Sequence, residues 1–233
     1  PIVASAVLFD LALGSASIRP DANMGYQSCL AAVSDDIARG NVGAGTGATA
    51  GKIFGMQHAF KSGIGTASVK IGRTIVGAIV AVNPFGDIIN PENQKIIAGA
   101  RSFKALGIQM GSETYFADTL RVMGSLSGKV ILQLAGMSNT VIGVVATNAK
   151  LNKEETNKIA QMAQDGIAQT IRPAHTMMDG DTIFALATGD HAEDVNVVGA
   201  YAAQVFAGAI LNAVQTARPA GGLPAYSDKE QES

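Results

Sequence analysis

The chain has 233 residues, of which 47% are hydrophobic and 15% are charged, a composition typical of a soluble globular protein with one sizeable core. With 17 Lys and Arg against 19 Asp and Glu, the net charge is −2 and no basic block is present, which argues against nucleic-acid binding. The single cysteine, Cys29, excludes an internal disulfide framework and a multi-cysteine metal site. No signal-peptide pattern follows Pro1, and we expect a cytoplasmic protein.

The first elements are predicted from apolar runs and glycines. A continuous apolar run predicts a buried strand over residues 2–13, and helical spacing predicts a helix over 24–38 that stops at Gly40. Five glycines in residues 40–52 predict a loop whose backbone approaches another chain or a ligand closely.

A hairpin follows the glycine-rich loop in the sequence. Residues 68–71 and 75–82 favour extended structure, and the pair Gly72-Arg73 between them is suited to a tight turn. From residue 83 to 127 no periodicity is sustained, so we predict a long surface excursion that is partly helical around 115–123.

The second half of the chain alternates strands and helices. Strands are predicted over 129–134, 140–147 and 182–188, and helices over 152–171 and 195–217. The first of these helices opens on a capping box, Asn152 to Glu155, and cannot continue through Pro173. The tail over 219–233 is polar, and we expect it to be frayed.

The helix over 195–217 is the most apolar long segment, and it bears on membrane insertion. Its Asn196, Gln204, Asn212 and Gln215 would each lie unpaired in hydrocarbon, so no membrane span is predicted. The alternation of strands and helices predicts one α/β domain over 1–233, since neither an internal repeat nor a clear linker divides it.

The glycine-rich loop invites a phosphate-binding interpretation, which its spacing does not support. A Walker loop needs a glycine where Thr46 stands and a hydroxyl residue where Ile53 stands. Gly45, Gly47 and Ala50 fit the loose dinucleotide pattern but follow a helix end instead of a strand. Lys52 remains as a cation beside exposed amides, where it either holds an anion or carbonyl oxygen or is a solvated surface lysine.

A second cluster places His175, Asp179 and Asp181 within seven residues. A metal site would need further ligands, yet His58 and His191 stand isolated in the sequence, so we predict no metal and no cofactor. The two carboxylates either orient an amine at the entrance of the strand that follows or form an ordinary turn.

Four ordered blocks of sequence together resemble the L-aminopeptidase/D-esterase family of self-processing hydrolases, which includes β-peptidyl aminopeptidases and nylon-oligomer endo-hydrolases. The blocks are GAGTGATAGK at 43–52, VGAIVAVNPFGD at 76–87, NTVIGVVATNA at 139–149 and RPAHTMMDGDTIFALATG at 172–189. The resemblance implies a layered α-β-β-α sandwich and an enzyme that cuts its own chain before a hydroxyl residue.

The resemblance also implies roles for individual residues. Self-cleavage falls between Asn139 and Thr140, giving pieces 1–139 and 140–233, and Thr140 becomes an N-terminal nucleophile. A free α-amine, with an ordinary pKa of about 7.7 to 8.0, can then take the proton of the threonine hydroxyl. Asn83 matches an oxyanion donor, and Lys52 matches a lysine that lowers the pKa of the amine or holds the hydroxyl.

For the acidic pair the resemblance implies positions near the nucleophile. Asp179 and Asp181 either orient the new amine or bind a substrate amine, and a purely structural role stays open for one of them. Substrates implied are small peptides or amides, including ω-amino amides, and the glycine-rich surfaces and small size suggest a homo-oligomer.

The sequence departs from the family pattern at two places. Family members carry a further segment before the part that matches residues 2–13, so this chain is either shortened or given in part. The usual Asn-Thr-Thr reads Asn-Thr-Val here, which leaves Thr140 without a neighbouring hydroxyl at Val141. Two alternatives to hydrolysis remain: acyl transfer of the ornithine acetyltransferase type, and a catalytically silent structural homologue.

Overall fold

A computed structural model gives the structure of the protein and describes residues 3–34, 36–105, 107–134 and 139–230. In chain order the strands within these ranges are β1 (Thr49–Ala50), β2 (Phe60–Lys61), β3 (Ile64–Ile71), β4 (Thr74–Asn83), β5 (Asp87–Ile89), β6 (Ile96–Ala98), β7 (Phe103–Ala105), β8 (Ile108–Met110), β9 (Thr140–Ala149), β10 (Ile171–Arg172) and β11 (Thr182–His191). The helices are α1 (Ala22–Leu30), α2 (Thr119–Gly124), α3 (Leu126–Leu134), α4 (Lys153–Thr170), α5 (Val195–Gln215) and α6 (Tyr226–Glu230).

The main sheet has four strands in the order β11-β9-β4-β3. The hairpin predicted at Gly72-Arg73 is confirmed, because β3 and β4 pair antiparallel up to Ile71 and Thr74. Strand β9 lies in the middle, antiparallel to β4 and parallel to β11. The register places Asn83, the last residue of β4, opposite Thr140, the first residue of β9.

Two helices cover this sheet and form the core with it. Helix α5 packs on β3 and β4, α4 packs on β11, and the two helices pack on each other. Phe206 of α5 is fully buried, and it lies so close to the sheet that a Cβ at Gly143 would approach its ring to 2.4 Å. By length and composition α5 could cross a membrane, but 61% of its most apolar window is buried inside the fold. It is therefore the core helix of this domain.

The capping box predicted for α4 is present. The Asn152 side chain accepts a hydrogen bond from the Glu155 N–H, and the Glu155 carboxylate accepts one from the Asn152 N–H, both at 2.9 Å. The helix ends at Thr170, before Pro173. The predicted strand over 182–188 and the helix over 195–217 also match β11 and α5.

The N-terminal prediction is wrong. Of the strand predicted over 2–13, Ile2 lies outside the described residues; residues 3–13 form no strand, and Val3 and Val7 are 84% and 83% exposed. Helix α1 is shorter than predicted, and none of its residues is buried. An apolar run predicts a buried strand only if a partner strand pairs with it, and in the described part of the chain none does.

Residues 83–127 are a surface excursion only in part, because residues 83–89 and 98–100 are buried while most of residues 107–115 are exposed. They contain strands β5 to β8 and helix α2, and they bury Phe85, Ile88 and Phe116. Their three-residue strands are too short for a period of two to emerge, and Pro84 and Pro91 interrupt the pattern further. The helical content predicted around 115–123 corresponds to α2.

Two further predictions are corrected. Residues 129–134 belong to helix α3 instead of a strand, and the hydroxyl of Ser125 accepts a hydrogen bond from the Gly128 N–H at 2.9 Å, as an N-cap does. The tail is not simply frayed, because Leu223 and Ala225 are buried before α6 begins. The predicted α/β class itself is confirmed.

A buried carboxylate, Asp87, ties the short strands to helix α2. It is 1% exposed and accepts hydrogen bonds from Ala100 N at 2.9 Å, Thr119 N at 2.6 Å and Thr119 Oγ1 at 2.8 Å. Burial raises the pKa of Asp87 to about 6, against the opposing effect of these donors. The carboxyl thus ties β5 to Ala100 and to the start of α2.

We expect Asp87→Ala to lower the free energy of unfolding by about 3 kcal/mol, because three buried donors each lose a partner at a cost of roughly 1 kcal/mol or more. Urea denaturation at pH 7.5 measures this. Since the folded carboxyl binds its proton more tightly than the unfolded one, its protonation stabilises the fold at low pH, and that stabilisation is lost as the pH rises through about 6. The deficit of Asp87→Ala is therefore expected to be about 1 kcal/mol larger at pH 5 than at pH 7.5; an equal or smaller deficit at pH 5 would contradict this account.

Candidate active site

The candidate site residues predicted from the sequence lie at the edge of the sheet where β4 ends and β9 begins. Thr140 is 8% exposed, and its hydroxyl donates a hydrogen bond to the carbonyl oxygen of Asn139. The hydroxyl therefore lies against the carbonyl of the peptide bond that precedes its own residue. This is the bond at which self-cleavage is predicted.

The loop before β11, residues 178–181, forms hydrogen bonds with this peptide group and with the Asn139 side chain. The Gly180 N–H donates to the carbonyl oxygen of Asn139 at 2.9 Å, while the backbone N–H and the side-chain Nδ2 of Asn139 both donate to the carbonyl of Met178, at 3.3 and 3.2 Å. Asn139 and Asp179 form a parallel β-bridge. The Asn139 carbonyl thus receives one backbone donor and one hydroxyl, which polarise it.

Asn83 has its side-chain amide oriented by its neighbours. Its Oδ1 accepts hydrogen bonds from Thr49 N at 3.1 Å, Thr49 Oγ1 at 3.3 Å and Lys52 Nζ at 2.8 Å. Its Nδ2 donates to the carbonyl of Phe9 at 3.1 Å. Since an amide nitrogen carries two N–H groups, Asn83 has a second N–H, which binds no partner among the described residues.

Lys52 is bound to the end of β4. Its Nζ donates to Asn83 O at 2.9 Å, Asn83 Oδ1 at 2.8 Å and Pro84 O at 3.0 Å. Burial lowers the pKa of Lys52 to about 7; the nearby Asp179 carboxylate opposes this shift and Lys61 adds to it. The ammonium thus supports the Asn83 side chain, and these three bonds do not include the Thr140 hydroxyl.

The two aspartates have different partners. Asp179 accepts hydrogen bonds from Phe85 N at 2.9 Å and Thr176 Oγ1 at 2.6 Å, and so joins the loop to the end of β4. Asp181 accepts one from Val141 N at 2.9 Å and pairs with His175 Nδ1 at 2.9 Å.

The pKa of Asp181 is raised. Burial is the main cause and the Asp179 carboxylate adds to it, while the Val141 N–H and His175 oppose it.

The structure brings all five predicted side chains to one edge, through two networks. The first lies at the end of β4, where Lys52 binds Asn83 and Asp179 accepts the Phe85 N–H. The second lies at the start of β9, where Asp181 accepts the Val141 N–H. Sequence reasoning missed the backbone groups of Met178 and Gly180, because any residue type supplies them and only the fold places them. Among the described residues no group of three or more His, Cys, Asp or Glu could hold a metal ion.

Comparison with known proteins identifies relatives over almost the whole chain. The pattern of Peptidase family S58 matches residues 1–226. An uncharacterized aminopeptidase of Mycobacterium tuberculosis is 38% identical over 251 residues, covering 98% of this chain and 67% of the relative. A 6-aminohexanoate-oligomer endohydrolase of Kocuria sp. is 28% identical, covering 92% of this chain and 61% of the relative. The resemblance read from the sequence is confirmed.

Solved structures support the same fold. A beta-aminopeptidase of Burkholderia sp. superposes with a TM-score of 0.58 at 23% identity, over 91% of this chain and 59% of that one. The L-aminopeptidase D-Ala-esterase/amidase of Ochrobactrum anthropi, described as a variant of the Ntn hydrolase fold, gives 0.52 at 21% identity, over 82% and 48%. The chain therefore has this fold, and it spans about half to two thirds of the length of these relatives.

Proposed function

We propose, since the chain belongs to Peptidase family S58, that it is an amide hydrolase that activates itself by cutting the Asn139–Thr140 bond and then uses Thr140 as an N-terminal nucleophile. The contact between the Thr140 hydroxyl and the Asn139 carbonyl carries this proposal. A nucleophile beside a polarised carbonyl needs little reorganisation to attack it.

Self-cleavage begins with attack of Thr140 Oγ1 on the carbonyl carbon of Asn139. Negative charge develops on the Asn139 oxygen, where the Gly180 N–H already donates at 2.9 Å. The bond between this carbon and the Thr140 nitrogen breaks as an ester forms to Oγ1, and the hydroxyl proton ends on the nitrogen. Water then hydrolyses the ester, leaving a carboxylate on Asn139 and a free hydroxyl and amine on Thr140.

Substrate hydrolysis repeats this chemistry on an external amide. The freed amine takes the proton of the Thr140 hydroxyl, Oγ1 attacks the substrate carbonyl, and the proton passes to the departing amine. Water then releases the acyl group. In this step the second N–H of Asn83, the one that does not bind Phe9, is the proposed oxyanion donor, because the Gly180 N–H faces the new C-terminus at Asn139.

Lys52 and the aspartates support these two steps in the proposal. Lys52 binds Asn83 Oδ1 and so keeps the amide nitrogen of Asn83 turned away from itself. Asp181 holds the backbone beside Thr140 through Val141, and Asp179 holds the loop against Phe85. Both carboxylates also favour a protonated amine nearby, which limits the fraction of Thr140 amine that acts as base.

The substrates we propose are small amides or short peptides of amino acids or ω-amino acids, in keeping with relatives named aminopeptidase and 6-aminohexanoate-oligomer endohydrolase. A homo-oligomer of cleaved protomers and a cytoplasmic location belong to the same proposal. Light scattering of the purified protein and cell fractionation test these two points.

The experiment for the function follows one purified sample over time. Mass spectrometry of the intact protein measures self-cleavage. Release of free acid or amine from short α-, β- and ω-amino amides measures hydrolysis. Hydrolysis that rises in step with cleavage supports the proposal. Turnover by an uncleaved chain, or transfer of the acyl group to an added amine in place of release as free acid, would refute it.

A further inference from the structure

His175 has no part in the mechanism above, yet it contacts the site. Its Nδ1 lies 2.9 Å from Asp181 Oδ2, and the imidazole is 40% exposed while the Asp181 side chain is 6% exposed. The other carboxylate oxygen of Asp181 accepts the Val141 N–H at 2.9 Å. One buried carboxylate therefore links a solvent-facing imidazole to the residue that follows the nucleophile.

The backbone of His175 adds an independent observation. Its φ of 52° lies in the left-handed region, which few residues other than glycine adopt. The loop that follows is held by Thr176, whose hydroxyl and N–H both donate to Asp179 Oδ2, at 2.6 and 3.2 Å. Backbone strain of this kind is retained where the surrounding structure fixes it, and it is enriched at functional sites.

We propose that His175 is a positioning residue, which fixes Asp181 as a carboxylate so that Asp181 holds the start of β9, and with it Thr140, in line for both self-cleavage and hydrolysis. This inference rests on the proposed function. The imidazole acts through Asp181 and does not touch the reacting atoms.

The charges around Asp181 decide how this works. Asp179 faces it with a like charge and raises its pKa, whereas the imidazole lowers it when protonated. Lys52 lies across the site at the end of β4, and the amine freed at Thr140 becomes a further cation beside the pair. Without the imidazole, Asp181 keeps its repulsion from Asp179 and its burial, so it binds a proton at a higher pH.

Two variants separate the charge of His175 from its contact. His175→Asn keeps an N–H donor near the position of Nδ1 and tolerates the left-handed backbone, but it carries no charge. His175→Gly keeps the backbone and removes the donor. His58→Asn is the matched control, because His58 stacks on Phe103 at 3.8 Å and lies outside the 175–181 loop.

The rate of self-cleavage, followed by intact mass between pH 4.5 and 8, is the first measurement. We expect His175→Asn to cleave near the wild-type rate at pH 7.5. At low pH, where protonation of Asp181 slows cleavage, the pH of half-maximal rate should rise by about one pH unit. His175→Gly should cleave on the order of 100-fold more slowly at every pH, because Asp181 keeps only its contact with the Val141 N–H and holds β9 less firmly. His58→Asn should follow the wild type.

Carbon-13 NMR titration of the Asp181 carboxyl, in the Thr140→Ala background where the chain stays whole, is the second measurement. A midpoint that rises in His175→Asn supports the inference, and an unchanged midpoint overturns it whether or not the protein cleaves. Wild-type profiles in both His175 variants would also overturn it. A wild-type chain that never cleaves refutes the proposed function instead. In that case the Asp181 titration alone shows whether His175 lowers the pKa of Asp181.

Discussion

Thr140→Ala is expected to stop self-cleavage and to reduce amide hydrolysis to the level of buffer, a loss on the order of a millionfold for removal of a nucleophile. The variant keeps the backbone of β9 and its pairing with Asn83, since both lie in the main chain. What it removes is the one hydroxyl that contacts the Asn139 carbonyl within the described residues. Intact mass and a substrate assay on the same sample measure both losses.

Thr140→Ser is the matched control for this prediction. It keeps the hydroxyl and, after cleavage, the amine. It loses only a methyl group, in a residue that is 8% exposed. We expect the serine variant to cleave and to hydrolyse substrate measurably. A Thr140→Ala protein that still separated into pieces 1–139 and 140–233 would show that another group makes the cut.

Asn83→Ala is expected to separate the two reactions. Hydrolysis of an external amide should fall about 100- to 1000-fold, the usual cost of losing one oxyanion donor. Self-cleavage should persist at a rate within reach of measurement, because its oxyanion forms on the Asn139 oxygen, where the Gly180 N–H donates. Rates of both reactions, measured separately in pre-cleaved and fresh samples, test this split.

A second variant controls for the packing around Asn83. Asn83→Asp keeps an oxygen for the Thr49 and Lys52 donors at 2.8 to 3.3 Å but replaces the amide N–H donors. It should lose hydrolysis at least as fully as Asn83→Ala while the fold stays intact by circular dichroism. Equal losses of self-cleavage and hydrolysis in both variants would contradict the assignment of different donors to the two steps.

The sequence predicted the part of the fold in which long elements repeat a clear period. Strands β4, β9 and β11 and helices α4 and α5 each run for ten residues or more, long enough for burial to impose its pattern. The capping box at Asn152 set the start of α4 because its two hydrogen bonds are local. These elements form the sheet edge that positions Thr140.

The rest of the fold depends on partners that are distant in sequence. The apolar residues before Leu13 look like a strand, yet no described strand pairs with them. The short strands around Asp87 form because a buried carboxylate collects three donors from Ala100 and Thr119, which no periodicity announces. Tertiary contacts of this kind override local propensity.

The site divides in the same way. Side chains such as Lys52 and Asp181 were found through their sequence motifs, and the structure brings them to one edge. The Gly180 N–H that polarises the Asn139 carbonyl could not be predicted from a motif, because it is a backbone group placed by the β-bridge between Asn139 and Asp179. The contact of His175 with Asp181 likewise depends on a left-handed backbone that the sequence does not reveal.

N-terminal sequencing of every chain in a freshly purified and then incubated wild-type sample tests the central claim most directly. The account predicts a second N-terminus that reads Thr-Val-Ile-Gly-Val, beginning at Thr140, and its yield should grow as the full-length mass disappears. A sample that keeps one intact chain throughout incubation, or that is cut at any other bond, would contradict it.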